Sequence, residues 1–428
     1  MHETGLKTLS LKAGQGLVLI AVVFNMALCL MSTRFGIHTS NTTVAATELM
    51  ILATGLYFCR HQISAPVIRI AGLFACYLVG MKLINAALDL KIIHDIGIML
   101  IFYQLGMLAT IRDGNRLLWA VMVIVISVAA FEVLLPLEFG ATFDVWNYYV
   151  DKGVITASTI NYSHTTSFIS GSRGGQLVRS FFPSILGPER FSSVFLEPVS
   201  MGNFSVITFA WCLSMRMVDW RLQSLLAACA ACCMILADSR FGAACFILML
   251  LFRITPLHRS RLMIFCLPLL TMLALLLNGS LHQIPDVVPA IINDNFSGRL
   301  LFSGRLLDYW RFGQWFALAP SQVYTSDTGY AYAINNLSLP LALCLLGGFA
   351  FHTPRTAEGL SMKAMITVYM AASLCIGANM FSIKTAALCW FLYGAASSIA
   401  ELQRTARPLK NISQIPLLRH QVASLSPD

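Results

Sequence analysis

Charge is what this sequence has least of. Only 11% of the 428 residues are Asp, Glu, Lys or Arg, against about 25% in ordinary soluble domains, and 57% are hydrophobic. A soluble fold could not hydrate such a surface. Several chemical signatures are missing as well. There is no P-loop, which argues against ATP-driven transport by this chain. There is no D-x-D, so no metal-bound nucleotide-sugar site is indicated. G-x-S-x-G and H-E-x-x-H, the marks of common hydrolases and zinc proteases, are absent too. The chain shows no internal repeat. Its two long connections carry no cysteine: all 12 cysteines lie within or beside apolar blocks, so no disulfide framework follows. Cys229, Cys232 and Cys233 sit in an Ala/Leu stretch without a neighbouring histidine, which reads as small-residue helix packing.

What is present is a series of long apolar blocks, near 16–33, 45–59, 70–86, 93–111, 117–137, 200–215, 222–237, 241–253, 262–278, 337–351, 364–380 and 384–400. They are too long and too continuous for the alternating strands of a membrane barrel. Helices satisfy their own backbone in lipid, so the expected fold is all-α: a polytopic membrane bundle with about a dozen spans. The first block follows Lys7 and Lys12 but lacks an A-x-A site, which favours an uncleaved first span.

The net charge of +9 is not a nucleic-acid patch, because most basic residues sit singly at block ends. Arg60, Arg69, Arg112, Arg116, Arg216, Arg221, Arg253, Arg259, Arg261, Arg355 and Lys363 flank connections on one side. The tail 401–428 adds Arg404, Arg407, Lys410 and Arg419 there. The short connections on the other side hold only Arg34, Lys82, Lys91, Arg240 and Lys384. The positive-inside bias then places both termini inside and the two long connections, 138–199 and 279–336, outside. Loops of that length in a compact structure are usually functional or disordered, and the aromatics of the first (Trp146, Tyr148, Tyr149, Phe181, Phe182) argue against disorder.

The first loop contains Lys152, Arg173, Arg179 and Arg190, and the second Arg299, Arg305 and Arg311. Guanidinium groups bind phosphate bidentately, so such a set suits a diphosphate at the bilayer surface; contact with anionic headgroups is the plainer reading. Arg190-Phe-Ser-Ser-Val-Phe-Leu-Glu197-Pro198 runs from loop into membrane, with Pro198 suited to a first helical turn. Glu197 is there either a partner of the helix dipole or a general base. In the tight turn Asp238-Ser239-Arg240, Arg240 is either a phosphate ligand oriented by Asp238 or half of a local ion pair. Arg305 and Asp308 are spaced i, i+3 for a helix, with Trp310 placed for sugar stacking or for the interface. An amphipathic interfacial helix is the alternative. His164, alone in the first loop, is a base or incidental. Glu48, Arg69, His94, Asp95 and Glu132 are ionisable groups within or near spans, where function is the default, although His94 and Asp95 lie near an outer helix end where water reaches.

On Arg190 to Pro198, on Ser239-Arg240-Phe241-Gly242 opening a later span, and on Gly304-Arg305 with Trp310, the chain resembles the bacterial O-antigen ligase and polysaccharide polymerase superfamily. Within it, the exopolysaccharide polymerases of the Wzy-dependent pathway, xanthan-type members among them, are the most similar. The resemblance implies a helical core similar to GT-C glycosyltransferases. It also implies inverting glycosyl transfer on the periplasmic face of the inner membrane, from a glycan on undecaprenyl diphosphate to a lipid-linked repeat unit. No nucleotide sugar, metal or other cofactor is expected, and a chain-length regulator and export proteins are the implied partners. Under it, Arg190, Arg240 and Arg305 stabilise the departing diphosphate and Glu197, or else His164, takes the acceptor's proton. Arg173, Arg179, Asp238, Asp308, Trp310 and Arg311 hold substrate. Ligase-type transfer to a lipid core, and a lipid-linked glycan flippase or transporter, remain as alternatives.

Overall fold

The computed structural model describes residues 2–63, 65–154, 179–187, 189–216, 219–282, 288–289, 296–325 and 327–398. His164 and Arg173, much of both long connections and the tail 401–428 lie outside the described residues.

Among the described residues the regular structure is entirely helical. The chain opens with α1 (His2–Phe35), α2 (Asn41–Cys59), α3 (Ala65–Ile84), α4 (Lys91–Gly106) and α5 (Ile111–Leu134). Three short helices follow, α6 (Pro136–Thr142), α7 (Val145–Asp151) and α8 (Pro183–Leu186). Next come α9 (Pro198–Ser214), α10 (Trp220–Leu236), α11 (Arg240–Ile254) and α12 (Arg261–Leu281). The last third holds α13 (Phe296–Tyr309), α14 (Phe312–Trp315), α15 (Gly329–Leu337), α16 (Leu339–Phe351), α17 (Ala357–Leu374) and α18 (Ile383–Ser397).

Helix starts follow local chemistry. Thr110 and Asp113 form a reciprocal capping box at α5, Ser239 caps α11 through the Gly242 N–H, and Pro198 occupies the first turn of α9.

Five helices are long and apolar enough to cross a membrane: Ser10–Phe35, Asn41–Cys59, Val67–Ile84, Ile111–Leu134 and Arg261–Leu281. A sixth candidate is α15 with α16, bent by 108° at Ser338, where φ is +71°. The chain is a helical membrane protein. The remaining apolar blocks lie on α4, α9, α10, α11, α17 and α18, each 15–18 residues long and so shorter than the roughly 20 of a lone span.

Three of those shorter helices form the centre. Every residue of α18 from Ile383 to Ser397 is buried, and α9 and α17 are buried over most of their length. A helix apolar all round needs protein or lipid on every side, and here protein supplies it. Close approach of α4 and α18 depends on Gly106, which lies against the Phe391 carbonyl, and Gly394, which lies against the Tyr103 carbonyl. Gly279 of α12 and Gly304 of α13 touch backbone to backbone in the same way.

Candidate functional site

Charged residues from distant parts of the chain meet in one cavity of about 590 Å³ at an end of the bundle. Its walls come from the start of α2 (Asn41, Glu48), the start of α4 (Lys91, His94, Asp95), the start of α18 (Lys384), Asn25 of α1, Lys152 after α7, Tyr332 of α15 and Glu197. Helix N-termini carry partial positive charge, so α2, α4, α9 and α18 add to the field of the three lysines.

Glu197 is the N-cap of α9, yet its side chain makes no capping bond. It faces the cavity instead, accepting from the Tyr149 hydroxyl at 2.7 Å and the Ser200 hydroxyl at 2.9 Å and pairing with the Lys384 ammonium at 3.2 Å. Burial pushes its carboxyl up, but Lys384, the Tyr149 hydroxyl, Lys152 and Ser200 together outweigh burial and hold it at about 2. Glu197 is thus a firmly ionised anchor. Lys152 moves the other way: burial first, then the neighbouring Lys384, bring its ammonium down to about 8 against the pull of Glu197 and Glu48. Among the described residues no carboxylate lies within 4.0 Å of Lys91 or Lys152, which face the Tyr332 and Tyr149 rings at 6.0 and 5.8 Å.

The described start of the first long connection supports this wall. Phe139, Phe143, Val145, Tyr148 and Tyr149 pack with Cys29 and Leu196 in a small core, and the Tyr148 hydroxyl donates to Asn25 Oδ1 at 2.6 Å. That places Tyr149 beneath Glu197.

Also in the lining, the Tyr332 hydroxyl donates to Asp95 at 2.6 Å, Asp95 meets His94 Nδ1 at 3.1 Å, and His94 Nε2 lies 3.5 Å from Glu48. Asp95 is 1% exposed, so it is not simply wetted at a helix end as its position in the sequence suggests.

The arginines gather elsewhere. Arg179, 3% exposed, donates to the carbonyls of Phe181, Glu189, Ile235 and Leu236. Arg190 Nε donates to the Ala237 carbonyl at 2.9 Å. Both cations therefore close the C-terminus of α10, where carbonyls lack helical partners. Asp238, in a left-handed conformation (φ +47°), accepts from the Ser180 and Phe181 N–H groups, and exposed Arg240 donates to the Ser180 hydroxyl.

The segment 191–196 joins this cluster to the cavity. The Phe191 N–H bonds the Leu236 carbonyl, and buried Glu132 accepts from the Ser192 and Ser193 N–H groups and the Ser192 hydroxyl.

The third group stands on α13 and just beyond it. Arg305 Nε donates to the His282 carbonyl at 2.9 Å, and Asp308 follows one turn later on the same helix without an ion pair to it. Trp310 is 7% exposed, donates to Ser321 Oγ at 3.3 Å and packs edge-on to Trp315 at 5.9 Å. Arg311 is exposed.

Of the catalytic candidates, only Glu197 lines the cavity; Arg190 and Arg240 stand at the α10–α11 turn and Arg305 on α13. The cavity residues that sequence reasoning passed over are Lys384 and Lys91, read as topology markers, with Asn25 and Tyr332. One signal was available for Lys384, a lone lysine at the head of an otherwise apolar helix. Among the described residues, no group of three or more His, Cys, Asp or Glu side chains is disposed to hold a metal ion.

Compared with family models, with curated proteins and with solved structures, the chain finds no match.

Proposed function

We propose that this protein is a membrane glycosyltransferase that polymerises undecaprenyl-diphosphate-linked oligosaccharide repeat units into an exopolysaccharide by inverting transfer. The observation that carries the reading is the 590 Å³ cavity, where Lys91, Lys152 and Lys384 and four helix starts face the same space as Glu197, Glu48 and Asp95. A diphosphate is already a good leaving group, and what it needs from protein is cationic stabilisation as the anomeric C–O bond breaks. Lys91 and Lys152, which among the described residues form no ion pair with a carboxylate, supply that charge. The carboxylates and amides around them suit sugar hydroxyls.

In this reading the cavity opens to the periplasm at the outer face of a bacterial inner membrane. Twelve helical segments traverse the membrane as a core similar to GT-C glycosyltransferases, and both termini are cytoplasmic. Arg240, Arg305 and Arg311 stand outside the cavity and meet the glycan or the lipid surface. A chain-length regulator and export proteins are the expected partners, and no cofactor enters the reaction.

One observation favours a second reading, a lipid-linked glycan flippase or transporter. Glu48, Lys91, His94, Asp95 and Lys384, from within or beside apolar blocks, converge on one cavity, and intramembrane charges of this kind mark transport paths. Purified protein in detergent, given a lipid-linked repeat unit, separates the two. Lengthening of the glycan with release of undecaprenyl diphosphate is expected of the transferase. Its absence, with translocation of the lipid-linked repeat in vesicles, would establish the transporter.

A further inference from the structure

Transfer to an acceptor hydroxyl needs a proton acceptor, and Glu197 is poorly suited to it. Its oxygens are occupied by Tyr149, Ser200 and Lys384, and a carboxylate so strongly stabilised has little affinity for a proton. The same cavity is lined by a second constellation. Asp95 receives the Tyr332 hydroxyl on one oxygen and faces His94 Nδ1 with the other. A carboxylate accepts, so Nδ1 carries the hydrogen, and in the neutral ring Nε2 holds the lone pair. Nε2 has no hydrogen-bond partner and lies 3.5 Å from Glu48, whose side chain is 20% exposed. The Glu48 oxygen and the Nε2 of the neutral ring are both acceptors, so a proton placed between them can bond to both. Asn25, 1% exposed and lining the same cavity, keeps an unpartnered Nδ2 donor while its oxygen holds Tyr148, so a polar ligand has a donor waiting for it.

We propose that Glu48 takes the proton of the acceptor hydroxyl and shares it with His94, while Asp95 and Tyr332 are positioning residues that fix the imidazole; this rests on the transferase reading. The acceptor oxygen uses its O–H electron pair to bond the anomeric carbon. The pair of the breaking anomeric C–O bond leaves on the diphosphate. The proton resides between Glu48 and His94 Nε2, balanced by Asp95, until solvent or the departing diphosphate removes it. Among the described residues, Lys91 on α4, Lys384 on α18, Lys152 after α7 and Glu197 before α9 are the other charged groups lining this cavity.

The test compares unmodified protein with Glu48→Gln, Glu48→Asp, His94→Ala and Asp95→Asn in detergent, with a lipid-linked repeat as substrate and undecaprenyl diphosphate as the binding probe. Glu48→Gln should lower kcat about 100-fold or more with probe affinity held within about twofold, as loss of general-base catalysis requires. Glu48→Asp should retain part of the rate and serves if the glutamine variant does not fold. Added imidazole should restore part of the His94→Ala rate, and Asp95→Asn should displace the acid limb of the pH profile. Unmodified rate and pH profile in Glu48→Gln and His94→Ala would overturn the assignment, and so would a loss of probe binding equal to the loss of rate. Absence of any transfer by the unmodified protein would overturn the transferase reading and this inference with it.

Discussion

Lys384 and Glu197 show how one residue's state is set by its neighbours. The lysine side chain is 7% exposed and the glutamate side chain 30%. Replacing Glu197 by Gln leaves the ammonium with only a neutral partner and the Phe195 carbonyl at 3.4 Å. Breaking a fully buried pair costs about 3–5 kcal/mol, and the partial exposure of Glu197 lowers the expectation to roughly 2–3 kcal/mol. The pH dependence follows from the carboxyl lying at about 2 in the folded protein against an ordinary 4.5. A depressed folded value favours folding above the ordinary one, and that contribution is lost as pH falls from 4.5 towards 2. The thermal unfolding temperature of Glu197→Gln in detergent should therefore lie below that of the unmodified protein from pH 7 down to the ordinary carboxylate range. The gap should then narrow as the medium becomes more acidic. A gap constant across that range would show that Glu197 acts through packing alone.

At the scale of elements, arginines that look alike in sequence do different work. Arg179 ties the last carbonyls of α10, at Ile235 and Leu236, to the loop carbonyls of Phe181 and Glu189, whereas Arg240 starts α11 in the open with one hydroxyl partner. A lysine at 179 has three donors on one nitrogen and cannot reproduce a planar fork. Each buried carbonyl left unpaired costs about 1–3 kcal/mol, so Arg179→Lys should unfold several degrees lower in a thermal scan. Arg240→Ala should stay within about 0.5 kcal/mol of the unmodified protein, as exposed substitutions generally do. Equal losses in the two variants would contradict this division. The sequence singled out both the turn Asp238-Ser239-Arg240 and the run from Arg190 to Pro198, and the Phe191 bond to Leu236 ties the two together. What it could not distinguish was a guanidinium facing ligand from one facing carbonyls, because both are an arginine in a loop poor in charge.

For the whole molecule, the length and continuity of apolar blocks located the long helices, since a span satisfies a local rule. Lipid-facing and protein-facing helices were not separable that way: α18 and α5 are both apolar, yet α18 is enclosed throughout and α5 is long enough to stand in lipid. The cavity was hidden for a related reason. Its contacts are long-range, Lys384 reaching a carbonyl 189 positions away, and no local pattern encodes them. Orientation, by contrast, is a sum over many weak charge signals and so is robust to any one of them. The cavity brings together the start of α2, the start of α4, the residue before α9 and the start of α18, and under the periplasmic reading proposed above that end of the bundle faces outward. Arg60, Arg112 and Arg216 stand just beyond the opposite ends of α2, α4 and α9. A phosphatase that works only after export, fused after Gly153, should therefore be active. Fused after His61 or Arg216 it should be silent, and the reverse pattern would turn the cavity to the cytoplasm and remove the periplasmic reading.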